Sequence, residues 1–288
     1  EKNASAVLHA AIDHAASLGL GIALLWSEID SLYRSLGFDQ AGEESLLVLN
    51  QDVLAQALSN TPVRRELTTA NAGPADWPEI ERLRGFRTCQ LELDPGELSR
   101  TRSIPDLAVR VARDAHGIQG FAMRGKGDDL GEVIHEWGGD VSAALLCCRE
   151  LLDESEPFNE LFLMAPVARD ALAWSLRKAG SHVVRQSLGF MRVVSPEALA
   201  ADLSQLLPDT KGLTITRRPS QPGEPDLLDL QSSLGNCTVP QSTLLESLFG
   251  SGRRPGRTPI SAPLTNALGE SNLAHLPLPF FVSGLESI

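Results

Sequence analysis

Between Leu20 and Leu49 the chain carries a pattern that few folds accommodate. A short apolar strand, Leu20 to Trp26, runs into a polar turn, Ser27 to Asp30. One or two turns of helix follow, closing on Tyr33-Arg34-Ser35-Leu36-Gly37-Phe38, and a second strand starts after Gly42. Ser27 stands where a helix cap is wanted, with Asp30 answering three residues on, and Gly37 supplies the left-handed residue that ends such a helix. Upstream, Val7, Leu8, Ala11, Ile12, Ala15 and Leu18 recur at the spacing of a core-facing stripe, which predicts a helix over 4–18. The order is helix, strand, short helix, strand, and Tyr33, the one tyrosine in 288 residues, is held on the short helix.

The same order returns later. Glu132 to Trp137 reads as a strand broken by Gly138-Gly139, and Val141, Ala144, Leu145, Cys148, Leu151 and Leu152 form a helical stripe. A strand over 160–164, a helix over 168–179 closed by Gly180, and a strand over 189–194 complete the module. In front of it, Pro62, Asn71, Gly73 and Pro74 mark a change of character and a boundary near 60–62. A helix near 78–85 and strands over 88–93, 107–113 and 118–123 follow, the last two joined across His116-Gly117. Residues 61–195 therefore read as a complete unit and 1–60 as the second half of a similar one, an internal duplication. Residues 196–288 read as a C-terminal region: helices over 196–207 and 241–249, a strand over 213–217, and a flexible Pro- and Gly-rich stretch. The run Leu276 to Val282 is too apolar to hang free and is expected to dock on the body of the protein.

Charge narrows the partners. Lys and Arg number 25 against 37 Asp and Glu, a formal net charge of −12, which disfavours nucleic acid and anionic membranes and draws in cations such as amines. The same balance also serves simply to keep a protein soluble. No stretch approaches the roughly 18 uninterrupted apolar residues of a membrane span, and the chain opens at Glu1 without methionine, so the expectation is a cytoplasmic fragment or processed form. Cys89, Cys147, Cys148 and Cys237 form no C-x-x-C pair and read as reduced core or surface thiols. His135-Glu136 lacks the second histidine of a zinc site, so no metal is expected.

The helix–strand–helix–strand text resembles the C-terminal half of a GNAT-superfamily N-acetyltransferase. Lys2-Asn3-Ala4-Ser5 is similar to the tail of that family's pyrophosphate loop, with Lys2 standing where a glycine is usual, and Ser31 to Phe38 is similar to its F-Y-x-x-x-G-F segment. The resemblance implies a mixed α/β chain of tandem GNAT-like domains with central mixed sheets, the first (1–60) lacking its front strands, the second spanning 61–195, and an appendage over 196–288. It also implies an N-acetyltransferase that moves an acetyl group from acetyl-CoA as cosubstrate to a small-molecule or peptide amine. Tyr33 would then be the acid for the departing CoA thiolate. A phenol with a pKa of about 10 suits that role, since it stays neutral at pH 7 while able to give up its proton.

Lys2, Asn3, Ala4 and Ser5 would hold the pyrophosphate at a helix N-terminus, where unpaired N–H groups and the helix dipole favour an anion. By the same resemblance Glu136, on the central strand of the second domain, is a candidate general base. Two features oppose a working CoA site there. Asp140 stands at the cap of the next helix, and Leu176 occupies the place before Gly180 that Tyr33 occupies before Gly37. The alternative is a non-catalytic GNAT-like binding or scaffold protein, with oligomers allowed. The isolated 288 residues are expected to be inactive. A looser similarity to enhanced-intracellular-survival acetyltransferases implies that the Ile288 carboxylate helps orient or deprotonate the amine, against the simpler role of a tail that covers a groove.

Overall fold

The computed structural model describes residues 2–27, 29–61, 66–86, 96–155, 158–166, 170–207, 210, 212–218, 226–250 and 262–282, with side chains from Ser5 onward. Its elements are α1 (Lys2–Ser17), β1 (Ile22–Leu25), α2 (Asp30–Ser35), β2 (Asp39–Leu49), α3 (Gln51–Asn60), β3 (Thr68–Asn71), α4 (Trp77–Arg84), α5 (Glu97–Arg100), β4 (Ala108–Asp114), β5 (Gly117–Lys126), β6 (Asp129–Gly139) and α6 (Val141–Asp153). There follow β7 (Leu161–Pro166), α7 (Ala171–Lys178), β8 (Val183–Val193), α8 (Pro196–Leu206), β9 (Thr214–Arg218), β10 (Leu227–Gln231), β11 (Asn236–Pro240), α9 (Gln241–Phe249), α10 (Ala262–Leu268) and α11 (Glu270–Leu273). The chain is mixed α/β, with a mixed sheet of eight strands and a second sheet of three. The strand expected over 88–93, the Pro- and Gly-rich stretch 251–261 and the terminal Ile288 lie outside the described residues.

The chain divides into two compact units, one of 1–43 with 186–278 and one of 44–185 with 279–288. The boundaries expected near 60 and 195 fall at the end of α3 and the start of α8. In the second unit the strands run β2, β7, β6, β5, β4, β3. Every neighbouring pair is antiparallel except β6 with β7, which are parallel. The hairpin expected at His116-Gly117 forms: Asp114 Oδ1 accepts the His116 N–H at 2.7 Å, turning β4 into β5. One face of these strands buries Trp77, Ile80 and Leu83 of α4 against Val111, Phe121 and Met123. Helix α6 presses on β5 so closely that a Cβ on Gly120 would meet that of Ala143 at 2.8 Å.

The first unit pairs β1 with the end of β8, Ile22 opposite Val193 and Leu25 opposite Phe190. Helices α1 and α2 share with it a cluster of Ile12, Leu36, Phe38 and Phe190. Of the predicted α1 stripe only Ile12 is buried; Val7 and Leu18 are 68% and 63% exposed. The start of α2 also differs from expectation. Ser27 Oγ accepts the N–H of Ile29, two residues on, and the helix begins uncapped by any side chain at Asp30. The C-terminal part of this unit is the antiparallel sheet β9–β10–β11, whose Ile215, Leu228, Leu230 and Val239 are buried.

Candidate functional site

In the second unit β6 and β7 pair only at Val133 with Phe162 and Ile134 with Leu163. Beyond that point β6 keeps β5 as its neighbour and β7 keeps β2, so the two parallel strands part. Gly139 ends β6 at φ +90°, and a side chain there would strike the Gln119 carbonyl at 2.2 Å, so only glycine allows this strand to turn into α6. A cavity of about 460 Å³ opens at this end of β6, lined by Leu83 and Phe86 beyond the sheet, by Trp137 and Gly138, and by the first residues of α6 and α7.

Both helix starts are closed by carboxylates. Asp140 Oδ1 accepts from the N–H groups of Ser142 at 2.9 Å and Ala143 at 3.3 Å, and Asp170 Oδ1 from that of Ala173 at 2.8 Å. The donors that would greet a phosphate are thus partly used, and both caps add negative charge to the cavity wall. Asp140 was legible in the sequence. Asp170 was not, because the helix was expected to begin at Ala168, two residues before the cap.

Glu136 does not line this cavity. It points to the α4 face, fully buried, with Arg84 Nε 3.6 Å from its carboxylate. His135, on the other face, is buried and bonds the Gly125 carbonyl through Nε2 at 2.9 Å. Burial pushes the Cys148 thiol up to about 12 and Cys147 well above its ordinary value, so neither is a nucleophile at neutral pH. The apolar C-terminal run reaches this unit too: Phe281 is buried, its ring 6.5 Å from that of Trp137.

In the first unit Tyr33 lies on α2, half-buried, its ring 6.2 Å from Phe38 edge-on and 6.0 Å from Phe190. The turn that follows is tight: Leu36 and Phe38 both donate their N–H groups to the Tyr33 carbonyl at 3.0 Å, with Gly37 at φ +76°. Lys2, Asn3, Ala4 and Ser5 form the first turn of α1, as expected of a helix N-terminus. Ser5 Oγ is 3.4 Å from His9 Nδ1, and the same nitrogen is 2.8 Å from the Ser5 carbonyl. Tyr33 and Ser5 are in the first unit and Glu136 in the second, so the predicted residues do not all belong to one compact body. Among the described residues no group of His, Cys, Asp or Glu could hold a metal ion, and no helix is long and apolar enough to cross a membrane.

No family model matches this chain. No curated protein matches it in sequence. Solved structures do match in fold. A GCN5-related N-acetyltransferase from Anabaena variabilis aligns over 97% of this chain and 77% of its own, at 13% identity and a TM-score of 0.56. A conserved protein of unknown function from Enterococcus faecalis, described as a probable N-acyltransferase, aligns over 85% of this chain and 67% of its own, at 12% identity and a TM-score of 0.52. With β6 and β7 parting beside a helix start, and with α1–β1–α2–β2 repeated in order as α6–β7–α7–β8, the chain has the fold of the GNAT N-acetyltransferases.

Proposed function

We propose that this chain belongs to an N-acetyltransferase that passes an acetyl group from acetyl-CoA to an amine, with Tyr33 as the acid that protonates the departing CoA thiolate. The observation that carries the reading is the placement of the chain's single tyrosine, on the short helix after β1 of a GNAT fold and just before the Gly37 turn. The first turn of α1, at Lys2 to Ser5, would take the pyrophosphate, since its N–H groups have no helical partner. The second unit would not bind CoA in this reading, because Asp140 and Asp170 hold the two helix starts that line its cavity. Glu136 would serve there as a base only after Arg84 released its carboxylate. The acidic balance of the chain suits a cationic acceptor, a small amine or a basic peptide.

A second reading, a GNAT-like scaffold without catalysis, is favoured by the same two capping aspartates. Thermal unfolding of the natural full-length protein with and without acetyl-CoA separates the two. A specific ligand at a hundred times its Kd stabilises the native state by about 2.7 kcal/mol, so the melting temperature should rise with acetyl-CoA and not with an equal concentration of acetate. An unmoved melting temperature at millimolar acetyl-CoA would leave the scaffold reading.

A further inference from the structure

We propose that Gln241 is a positioning residue for Tyr33, which makes the C-terminal region part of the apparatus that aims the phenol; the proposal rests on the reading of Tyr33 as the acid. Gln241 opens α9 and is 1% exposed. Its carboxamide is divided between two backbones: Nε2 donates to the Gly37 carbonyl at 2.7 Å, and Oε1 accepts the Val193 N–H at 3.1 Å. These are the two segments that hold the Tyr33 ring. Gly37 lies between Tyr33 and Phe38 in the turn, and Val193 lies on β8 with Phe190; both phenylalanines contact the ring. One side chain thus fixes the spacing of the helix end that carries Tyr33 and the strand that backs it.

The neighbours reinforce this arrangement. Arg192 Nη1 donates to the Leu36 carbonyl at 2.5 Å. Arg217 donates to the Val193 carbonyl and pairs with Asp226. The Gln241 N–H in turn donates to the Asp226 carbonyl at 2.8 Å. A primary carboxamide is needed at position 241 because the site asks for a donor and an acceptor from one planar group. Asn has the same group but is one methylene too short to span both backbones. In Gln241→Glu the carboxylate still accepts from Val193 but cannot donate to Gly37, so this variant cuts one arm of the clamp and leaves the other. Gln241→Met keeps the volume and cuts both, and serves where the charged variant does not fold.

Tyr33 is the sole tyrosine of these 288 residues, so this chain labelled with 3-fluorotyrosine gives one 19F resonance that reports on this ring alone. The expected result is a shifted or broadened resonance in folded Gln241→Glu or Gln241→Met. The natural full-length enzyme assayed with acetyl-CoA and spermidine should lose roughly tenfold in kcat at unchanged KM for acetyl-CoA, the size of effect a small misplacement brings. That loss should vanish when the substitution is made in a Tyr33→Phe background, because Gln241 acts through the phenol. An unmoved resonance, or a kcat loss of the same size in the Tyr33→Phe background, overturns the positioning role. A Tyr33→Phe enzyme with full kcat overturns instead the acid reading beneath it, and the resonance tells the two failures apart.

Discussion

The module of strand, short helix and strand occurs twice, and its two copies differ at the helix. In β7–α7–β8 the helix is capped by Asp170 and sends Leu176 into the core with no exposure at all, while Trp174 lies outside. In β1–α2–β2 the helix has no side-chain cap and no fully buried residue, and the place of Leu176 is taken by half-buried Tyr33. The helices that precede them differ in the same sense. α6 is capped by Asp140 and buries Leu145, Cys148 and Leu151; among the described side chains of α1 only Ile12 is buried, while Val7, and Leu18 just past the helix end, lie in water. A fold can be repeated with one copy closed around its own side chains and the other keeping a polar group at the surface of its core. Burial of an aliphatic side chain is worth about 1.5–3 kcal/mol, so the closed copy is where stability resides.

Substitutions at four positions would break or sharpen that contrast. The largest effect belongs to Leu176→Ala, which opens a hole in a filled core and should lower the unfolding free energy by about 2–5 kcal/mol in urea titration. Tyr33→Phe should cost under about 1 kcal/mol in the same assay, because the ring contacts remain. Equal costs would mean that α2 is as much a structural element as α7. Asp140→Ala should cost about 0.5–2 kcal/mol by orphaning the first N–H groups of α6, while Asp140→Asn, an equally good cap, should be nearly neutral. Similar losses from both would trace the effect to the charge and not to the cap. The smallest effect is expected of Asp30→Ala: its ion pair with Arg34 at 2.8 Å is partly exposed and four residues apart on α2, worth about 0.3–0.5 kcal/mol.

Much of the second unit could be read from its residues. The hairpin chemistry of His116-Gly117 between two short runs marked β4 and β5, the stripe from Val141 to Leu152 marked α6, and Asp140 announced its own cap, because all of these are local signals. What escaped were features set by distant partners. Leu228 and Leu230 alternate as a strand should, but the Pro and Gly around 221–225 masked β10, and β11 is known by its pairing with β10. The stripe of α1 was a sound helix signal yet a poor guide to burial, since periodicity says which residues share a face and not what covers it. Ser27 was read as a cap when its hydroxyl closes a two-residue turn instead. Gln241 looked like an ordinary polar residue at a helix start, and only its two bonds, to segments 48 and 204 residues away, give it a part beside Tyr33.

The central claim is that the phenol of Tyr33 gives its proton to the CoA thiolate. The most direct test is the steady-state kcat of the natural full-length protein and its Tyr33→Phe variant with acetyl-CoA and spermidine, followed by release of the free thiol. General acid catalysis is worth roughly 10²-fold or more, so kcat should fall by that factor at an unchanged melting temperature. An unchanged kcat in the folded variant would contradict the claim and leave Tyr33 as a ring packed between Phe38 and Phe190.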